Sequence, residues 1–264
     1  MSILDTIKKY KIQEIAVRKA KQPGKFLEGS KFFERRCMSL KSALSNPEAS
    51  GIIAEFKRRS PSKGDINKNA LAEEITSGYI RAGASGLSVL TDENFFGAKK
   101  EDFARARESN DCPILQKDFI LDEYQIVEAK SIGADVILLI AQILSPAEIR
   151  QFTRFAHNLG LEVLLETHGA DEILQNLEAE TDLIGINNRN LNTFTVDIEN
   201  SIRLAGLLPA DTVKVAESGI ESAETIRILK QSGFKGFLIG EYFMKDLDPA
   251  NKCASLIKEL RHES

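Results

Sequence analysis

Apolar residues along this chain alternate between two regimes: short, nearly continuous runs, and longer stretches in which they recur at helical spacing. From Gly51 onward the short runs are 51–56, 86–90, 113–116, 136–140, 162–165, 183–186, 213–216 and 236–239, which makes eight candidate strands. Helical patterning predicts helices over 70–82, 100–108, 122–132, 146–159, 170–177, 199–207, 223–231 and 249–260, so each strand is followed by one helix. Gly83, Gly133 and Gly233 stand between a helix and the next strand, where a left-handed C-cap is expected.

Eight βα units in succession predict a closed parallel (β/α)8 TIM barrel. A doubly wound sheet has fewer strands and often carries an early glycine-rich dinucleotide loop, which this chain lacks. Ahead of the barrel, residues 3–20 set Ile3, Leu4, Ile7, Ile15 and Val17 among charges as an amphipathic helix that Pro23 and Gly24 end. A second helix is expected over 31–44, packing through Phe32, Phe33, Leu40 and Leu44, before Asn46-Pro47 breaks the pattern. The reading is one domain over 1–264, with a helical extension at 1–48 and the barrel at 49–264. A chain of 264 residues with 42% hydrophobic content is sufficient for that one core.

Charge and cysteine content narrow the function. The net charge of −4 comes from interspersed Lys, Arg, Asp and Glu with no basic block, so no nucleic-acid partner is expected. Residues 1–21 lack an apolar core, and no later run approaches the ~18 apolar residues of a membrane span, which argues against secretion and against a membrane partner. Cys37, Cys112 and Cys253 are odd in number and have no CxxC spacing, so neither a disulfide framework nor a zinc site is expected, and a cytoplasmic location fits.

Barrel chemistry collects where strands end and βα loops begin. The first strand exits through Glu55 and Lys57, the third through Lys117, the fifth through Glu166, the sixth through Asn187 and Arg189, and the seventh through Glu217. Strand parity places Glu55 and Lys57 on the face of Ile53, Lys117 on that of Leu115 and Glu166 on that of Leu164; if those partners point inward, so do the charges. A salt-bridge network at the rim is the plain alternative. Two lysines and three glutamates in one confined mouth can instead shift one another's pKa values in opposite directions, supplying a proton donor and a proton acceptor. Glu217-Ser218-Gly219 and Ile239-Gly240-Glu241, after the last two strands, place glycines where backbone N–H groups can face a phosphate, and 241–244 can form a short helix beside them. His168 lies two residues from Glu166, but His157 and His262 fall in a helix and the tail, so neither a metal nor any other cofactor is expected.

The run Ile53-Ala54-Glu55-Phe56-Lys57-Arg58-Arg59-Ser60-Pro61-Ser62-Lys63-Gly64 resembles the signature of the indole-3-glycerol phosphate synthase family. The resemblance continues through 87–92, Phe95-Phe96-Gly97, Lys117-Asp118-Phe119, 184–191 and 216–220, spanning essentially the whole chain. It implies conversion of 1-(2-carboxyphenylamino)-1-deoxyribulose 5-phosphate to indole-3-glycerol phosphate, with loss of carbon dioxide and water, in tryptophan biosynthesis. It further implies Lys117 as general acid toward the sugar carbonyl and Glu166 as the acid/base of dehydration. Lys57 would hold the substrate carboxylate and share the proton-donating role, while Glu55, Asn187 and Glu217 would orient substrate and tune the lysines. Ser60, Ser218, Gly219, Gly240 and the Glu241 backbone would contact phosphate. Phe96, Phe119, Leu138 and Leu191 would enclose the anthranilate ring, and Arg189 would bind a carboxylate or pair with Glu217 or another rim acid.

Three positions depart from the common family pattern: Arg59, Gln116 and Thr167. The resemblance also implies that the N-terminal helices help to cover the mouth and that the loop 60–65 is a mobile flap. Competing readings are another phosphosugar barrel, such as an Amadori isomerase or a Schiff-base aldolase using Lys117, and a catalytically silent barrel that binds a phosphometabolite. The expected partner is a small phosphorylated substrate, acting on a monomer, with a homodimer as the alternative.

Overall fold

Each apolar run becomes a strand because it is covered on both sides, by the barrel interior and by a helix. In the computed structural model, which describes residues 3–61, 63–190 and 195–262, the strands are β1 (Ile52–Phe56), β2 (Gly86–Leu90), β3 (Ile114–Lys117), β4 (Val136–Ile140), β5 (Glu162–Thr167), β6 (Leu183–Asn187), β7 (Lys214–Glu217) and β8 (Phe234–Ile239). All pair in parallel with their sequence neighbours, and β8 returns to β1, where Ile53 lies opposite both Gly86 and Leu238. The predicted (β/α)8 barrel is therefore closed, with a helix after each strand.

Four strands run past the end of their apolar run. β3 takes in Lys117, β5 takes in Glu166 and Thr167, β6 takes in Asn187 and β7 takes in Glu217. An apolar criterion stops at the first charge, but the ladder continues: Leu90 pairs with Lys117, Ile140 with Glu166, and Asn187 with Glu217. The polar residues are thus held by strand backbone, which fixes side-chain direction more firmly than a loop does.

Helix starts follow local capping chemistry. Ser145 and Glu148 form a reciprocal capping box at Pro146–Asn158, while Asp122, Asp197 and Ser222 cap the helices that follow them. Gly83, Gly133 and Gly233 hold φ of +101°, +91° and +84°, the left-handed turn expected of them.

The extension departs from expectation. The helix Ile3–Lys21 forms, but its buried stripe is Ile7, Lys11 and Ile15, while Val17 is 52% exposed. No helix spans 31–44; short helices at Gly24–Glu28 and Leu40–Ser45 flank a turn-rich segment. Tertiary contacts override the pattern here. Asp135 accepts from the Arg35 guanidinium at 2.5 Å and from the Met38 backbone N–H at 2.7 Å, drawing this segment onto the barrel wall, and Ser39 then caps the helix at Leu40. Leu44 packs so closely on Gly236 in β8 that a Cβ there would lie 2.9 Å from it. The extension runs from Ile3, Leu4 and Ile7 at the strand C-terminal mouth to Leu40 and Leu44 at the opposite end. Among the described residues, no helix is long and apolar enough to cross a membrane.

Candidate active site

A barrel layer takes four side chains from alternate strands. At the mouth, the odd strands contribute Glu55 (β1), Lys117 (β3), Glu166 (β5) and Glu217 (β7), all three carboxylates being at least 95% buried. Lys117 Nζ bridges two of them, 3.0 Å from Glu166 Oε2 and 2.5 Å from Glu217 Oε2. Lys57 Nζ sits 2.9 Å from Glu55 Oε1, and Ser88 donates to the other Glu55 oxygen at 3.3 Å. From the even strand β6, Asn187 donates to Glu166 Oε1 at 2.9 Å and accepts from the Arg189 N–H at 2.9 Å.

Two glycines make room for this layer. A Cβ at Gly185 would collide with the Glu217 carboxylate, and one at Gly240 would collide with that of Glu55. A side chain at either position would displace a charge that the layer holds.

The confined charges titrate apart. Burial alone would lower the pKa of Lys117, but Glu166, Glu217 and Glu55 outweigh it and hold the amine above the ordinary lysine value. Burial also opposes ionisation of Glu166, yet Lys117, His168 and the Asn187 hydrogen bond bring its pKa down to about 2. At Glu217 burial dominates; repulsion from Glu166 and Glu55 offsets the pull of Lys117, and the carboxyl is pushed up to about 7. One carboxylate is therefore a standing base and its neighbour a group that holds a proton near neutrality, the opposed shifts expected of a crowded mouth.

The mouth opens into a cavity of about 190 Å³. Its walls include Glu55, Lys57, Ser60, Phe96, Lys117, Phe119, Leu138, Glu166, Asn187, Arg189, Glu217, Ser218, Gly219, Gly240 and Glu241, every site residue expected from sequence except Leu191, which lies outside the described residues. The Phe96 and Phe119 rings stand 5.9 Å apart at 34°, forming one apolar wall. Across from it, Ser218 and Gly219 both take φ of +69°, and Gly240 begins the short helix Glu241–Met244. Arg189 approaches Glu241 Oε2 at 3.5 Å, so its acid partner is Glu241 rather than Glu217.

The first helix, expected to help cover the mouth, lines the cavity through Ile3, Leu4 and Ile7, whereas sequence reasoning missed Leu90, Ile220 and Tyr242. It also missed the buried triad of Lys11 with Asp92 and Asp118, each at 2.8 Å. The i, i+4 spacing of Ile7, Lys11 and Ile15 is the one signal that pointed to Lys11. The three departures from the family pattern each have a local role. Arg59 donates to Asn94 O at 2.7 Å, Gln116 to Thr91 Oγ1 at 3.0 Å, and Thr167 to Gly185 O at 2.9 Å. The expected flap 60–65 includes part of a small hairpin, in which Arg59–Ser60 pairs antiparallel with Gly64–Asp65.

Fold and site together define a (β/α)8-barrel protein with an acid/base layer at its mouth and glycine turns on its last two βα units. The family model for indole-3-glycerol phosphate synthase matches residues 4–256. The chain is 53% identical over 223 residues to the indole-3-glycerol phosphate synthase of Bacteroides thetaiotaomicron, covering 84% of this chain and 85% of that one. It is 41% identical to that of Variovorax paradoxus, covering 97% and 99%. The chain belongs to the indole-3-glycerol phosphate synthase family. Among solved structures, 3-hexulose-6-phosphate synthase from Salmonella typhimurium aligns over 81% of this chain and 100% of its own, with a TM-score of 0.64; at 13% identity it speaks for the fold alone.

Proposed function

We propose that this barrel closes the indole ring of 1-(2-carboxyphenylamino)-1-deoxyribulose 5-phosphate, releasing carbon dioxide and water, as a step of tryptophan biosynthesis in the cytoplasm. Family membership supports the reaction, and one observation carries the assignment of roles: the Lys117 amine sits between Glu166 and Glu217 on the floor of a cavity with an apolar aromatic wall. Lys117 protonates the sugar carbonyl oxygen, making its carbon electrophilic toward the ring carbon that bears the carboxylate. Lys57 holds that carboxylate until carbon dioxide leaves and aromaticity returns. Glu166 then serves as the acid/base of dehydration. Glu55, Asn187 and Glu217 orient the substrate and set the lysine charges.

Phe96, Phe119 and Leu138 enclose the anthranilate ring. Ser60, Ser218, Gly219 and Gly240 hold the phosphate, with Glu241 contributing its backbone N–H while its carboxylate turns to Arg189. We read the protein as a monomer and one domain, the second point supported by Ile7, Leu40 and Leu44 sharing the barrel's core.

The test is direct. Purified protein given the substrate without added metal generates indole absorbance and fluorescence, and Lys117→Ala and Glu166→Gln lower kcat by about 10²-fold or more. Tight binding without product from folded wild type refutes the assignment.

A further inference from the structure

Glu166 has a neighbour that the roles above leave unused. His168 lies two residues further on, just past the exit of β5, with its side chain 8% exposed. Its Nε2 stands 3.4 Å from Glu166 Oε1 and its Nδ1 3.7 Å from Glu172 Oε2, and neither ring nitrogen has a hydrogen-bond partner among the described residues. Glu172 is fixed in place, because its Oε2 accepts from the His168 backbone N–H at 2.8 Å. His168 also lines a second cavity of about 280 Å³, walled by polar residues that include Gln142, Asn188, Asp197 and Asn200, while both ring nitrogens are buried and the partly exposed Glu172 carboxylate stands beside Nδ1. Gln142 and Asp197 are exposed, so this cavity meets solvent, and it has room for several waters at ~30 Å³ each. His168 therefore stands between a carboxylate of the reaction mouth and a wet polar cavity outside it.

The proposed reaction needs such a path. The substrate loses its carboxylate charge as neutral carbon dioxide, and its carbonyl oxygen departs as water carrying two protons. The methylene carbon that becomes the indole C–H gives back one, to the Lys117 amine that protonated the carbonyl oxygen. The other must enter from solvent in every turnover.

We propose that His168 is the proton-entry relay for Glu166, an inference that rests on the reaction assigned above. As the C–O bond breaks and water leaves, Glu166 delivers a proton to the departing hydroxyl and takes the Nε2 proton of the imidazolium in the same step; the neutral imidazole then recovers a proton at Nδ1 from hydronium or buffer acid by way of the partly exposed Glu172 carboxylate. The charges around the ring suit a proton store: Glu166 on its own strand, Glu172 on the next helix and Glu217 on β7, with Lys117 beyond Glu166 and Arg189 and Asp197 on the outer cavity wall. Burial would lower the imidazole pKa, but Glu172, Glu166 and Glu217 outweigh it and raise it above the ordinary histidine value. His168 acts through Glu166 and is a positioning and proton-supplying residue, since it does not line the substrate cavity.

Wild-type turnover is measured first; its absence would overturn the reaction and the relay together, whereas the variants below bear on the relay alone. His168→Ala and His168→Gln are checked for folding by circular dichroism. Both are expected to lose kcat by about tenfold or more with KM within about twofold, and to lack the alkaline limb of kcat that wild type shows as His168 deprotonates. Imidazole in the buffer restores His168→Ala but not His168→Gln, and a methylimidazole series restores it in order of acidity, which a purely structural role would not produce. Folded variants with kcat near wild type overturn the relay. So does a loss that no imidazole reverses in a profile that keeps its alkaline limb.

Discussion

Replacing Lys11 with Met removes the cation from a triad whose three members are each at least 96% buried. Lys11 Nζ lies 2.8 Å from both Asp92 and Asp118, and the substitution strands two carboxylates that have almost no access to water. Breaking a buried pair from one side costs about 3–5 kcal/mol, because an uncompensated charge remains. Unfolding entropy of ~2.1 cal/mol/K per residue gives roughly 0.55 kcal/mol/K for 264 residues, so Tm falls by about 5–9 °C.

The loss carries a pH signature. In wild type, burial would raise the Asp118 pKa, but Lys11 overrides it and holds the carboxyl below its ordinary value. That stabilisation is present above the unfolded pKa, 3.8, and is lost as pH falls through the lower folded value. In Lys11→Met burial is still opposed by the Thr91 and Phe119 hydrogen bonds but no longer by the ammonium, so the folded pKa rises from its wild-type value and the stability gained by ionisation shrinks. The gap between the two proteins is therefore widest near neutrality and narrows below pH ~4. Thermal melts of both from pH 3.5 to 8 measure it. Adding Asp92→Asn and Asp118→Asn to Lys11→Met recovers part of the loss, since no buried charge then remains. A Tm drop under ~2 °C, or one of equal size at every pH, refutes the reasoning.

Two further substitutions probe the charge layer itself. Glu217 holds its proton up to about 7, so wild-type stability declines as pH rises from the ordinary carboxylate range through that value, and Glu217→Gln flattens this decline in pH-dependent chemical denaturation. Glu166, held at about 2, contributes in a separate window, with stability present above its unfolded value and lost toward pH 2, so the two slopes do not overlap. Gly240→Ala pushes a methyl group into Glu55, destabilising by about 1–3 kcal/mol and lowering kcat/KM at least ~10-fold, while Gly24→Ala, which meets no heavy atom within 4 Å, changes neither in the same assays.

The barrel was legible because its signal is periodic and repeated: eight apolar runs, each followed by an amphipathic stretch, leave few other ways to bury the runs. The gathering of polar residues at the mouth was legible for a related reason. Lys117, Glu166, Asn187 and Glu217 each sit at the abrupt end of an apolar run, where a polar group has no reason to be unless it points into the mouth. What escaped has no periodic signature. The segment 31–39 reads as a helix by its own pattern, yet Asp135, about a hundred residues away in sequence, captures Arg35 and Met38. Lys11 sits where an amphipathic stripe calls for an apolar residue, and only the fold brings Asp92 and Asp118 to meet it. His168 was weighed as half of a metal pair, because sequence shows its distance from Glu166 but not the Glu172 carboxylate and polar cavity on its other side.

The acid/base character of the mouth follows from barrel geometry and the count of charges in one layer. Alternate strands deliver four side chains to that level, and here these are three glutamates and one lysine. Lys117 bonds two of the glutamates, but one ammonium does not fully compensate two carboxylates that are both out of water. The carboxylate with more help ionises easily: Glu166 has Asn187 and His168 in addition to Lys117. Glu217 has Lys117 alone among these and faces the other two carboxylates, so it keeps its proton to about 7. A symmetric layer would give neither a standing base nor a proton reserve. The asymmetry lies in the neighbours supplied by β6 and by the residues after β5, and those neighbours are where substitutions should move the pH profile without dismantling the barrel.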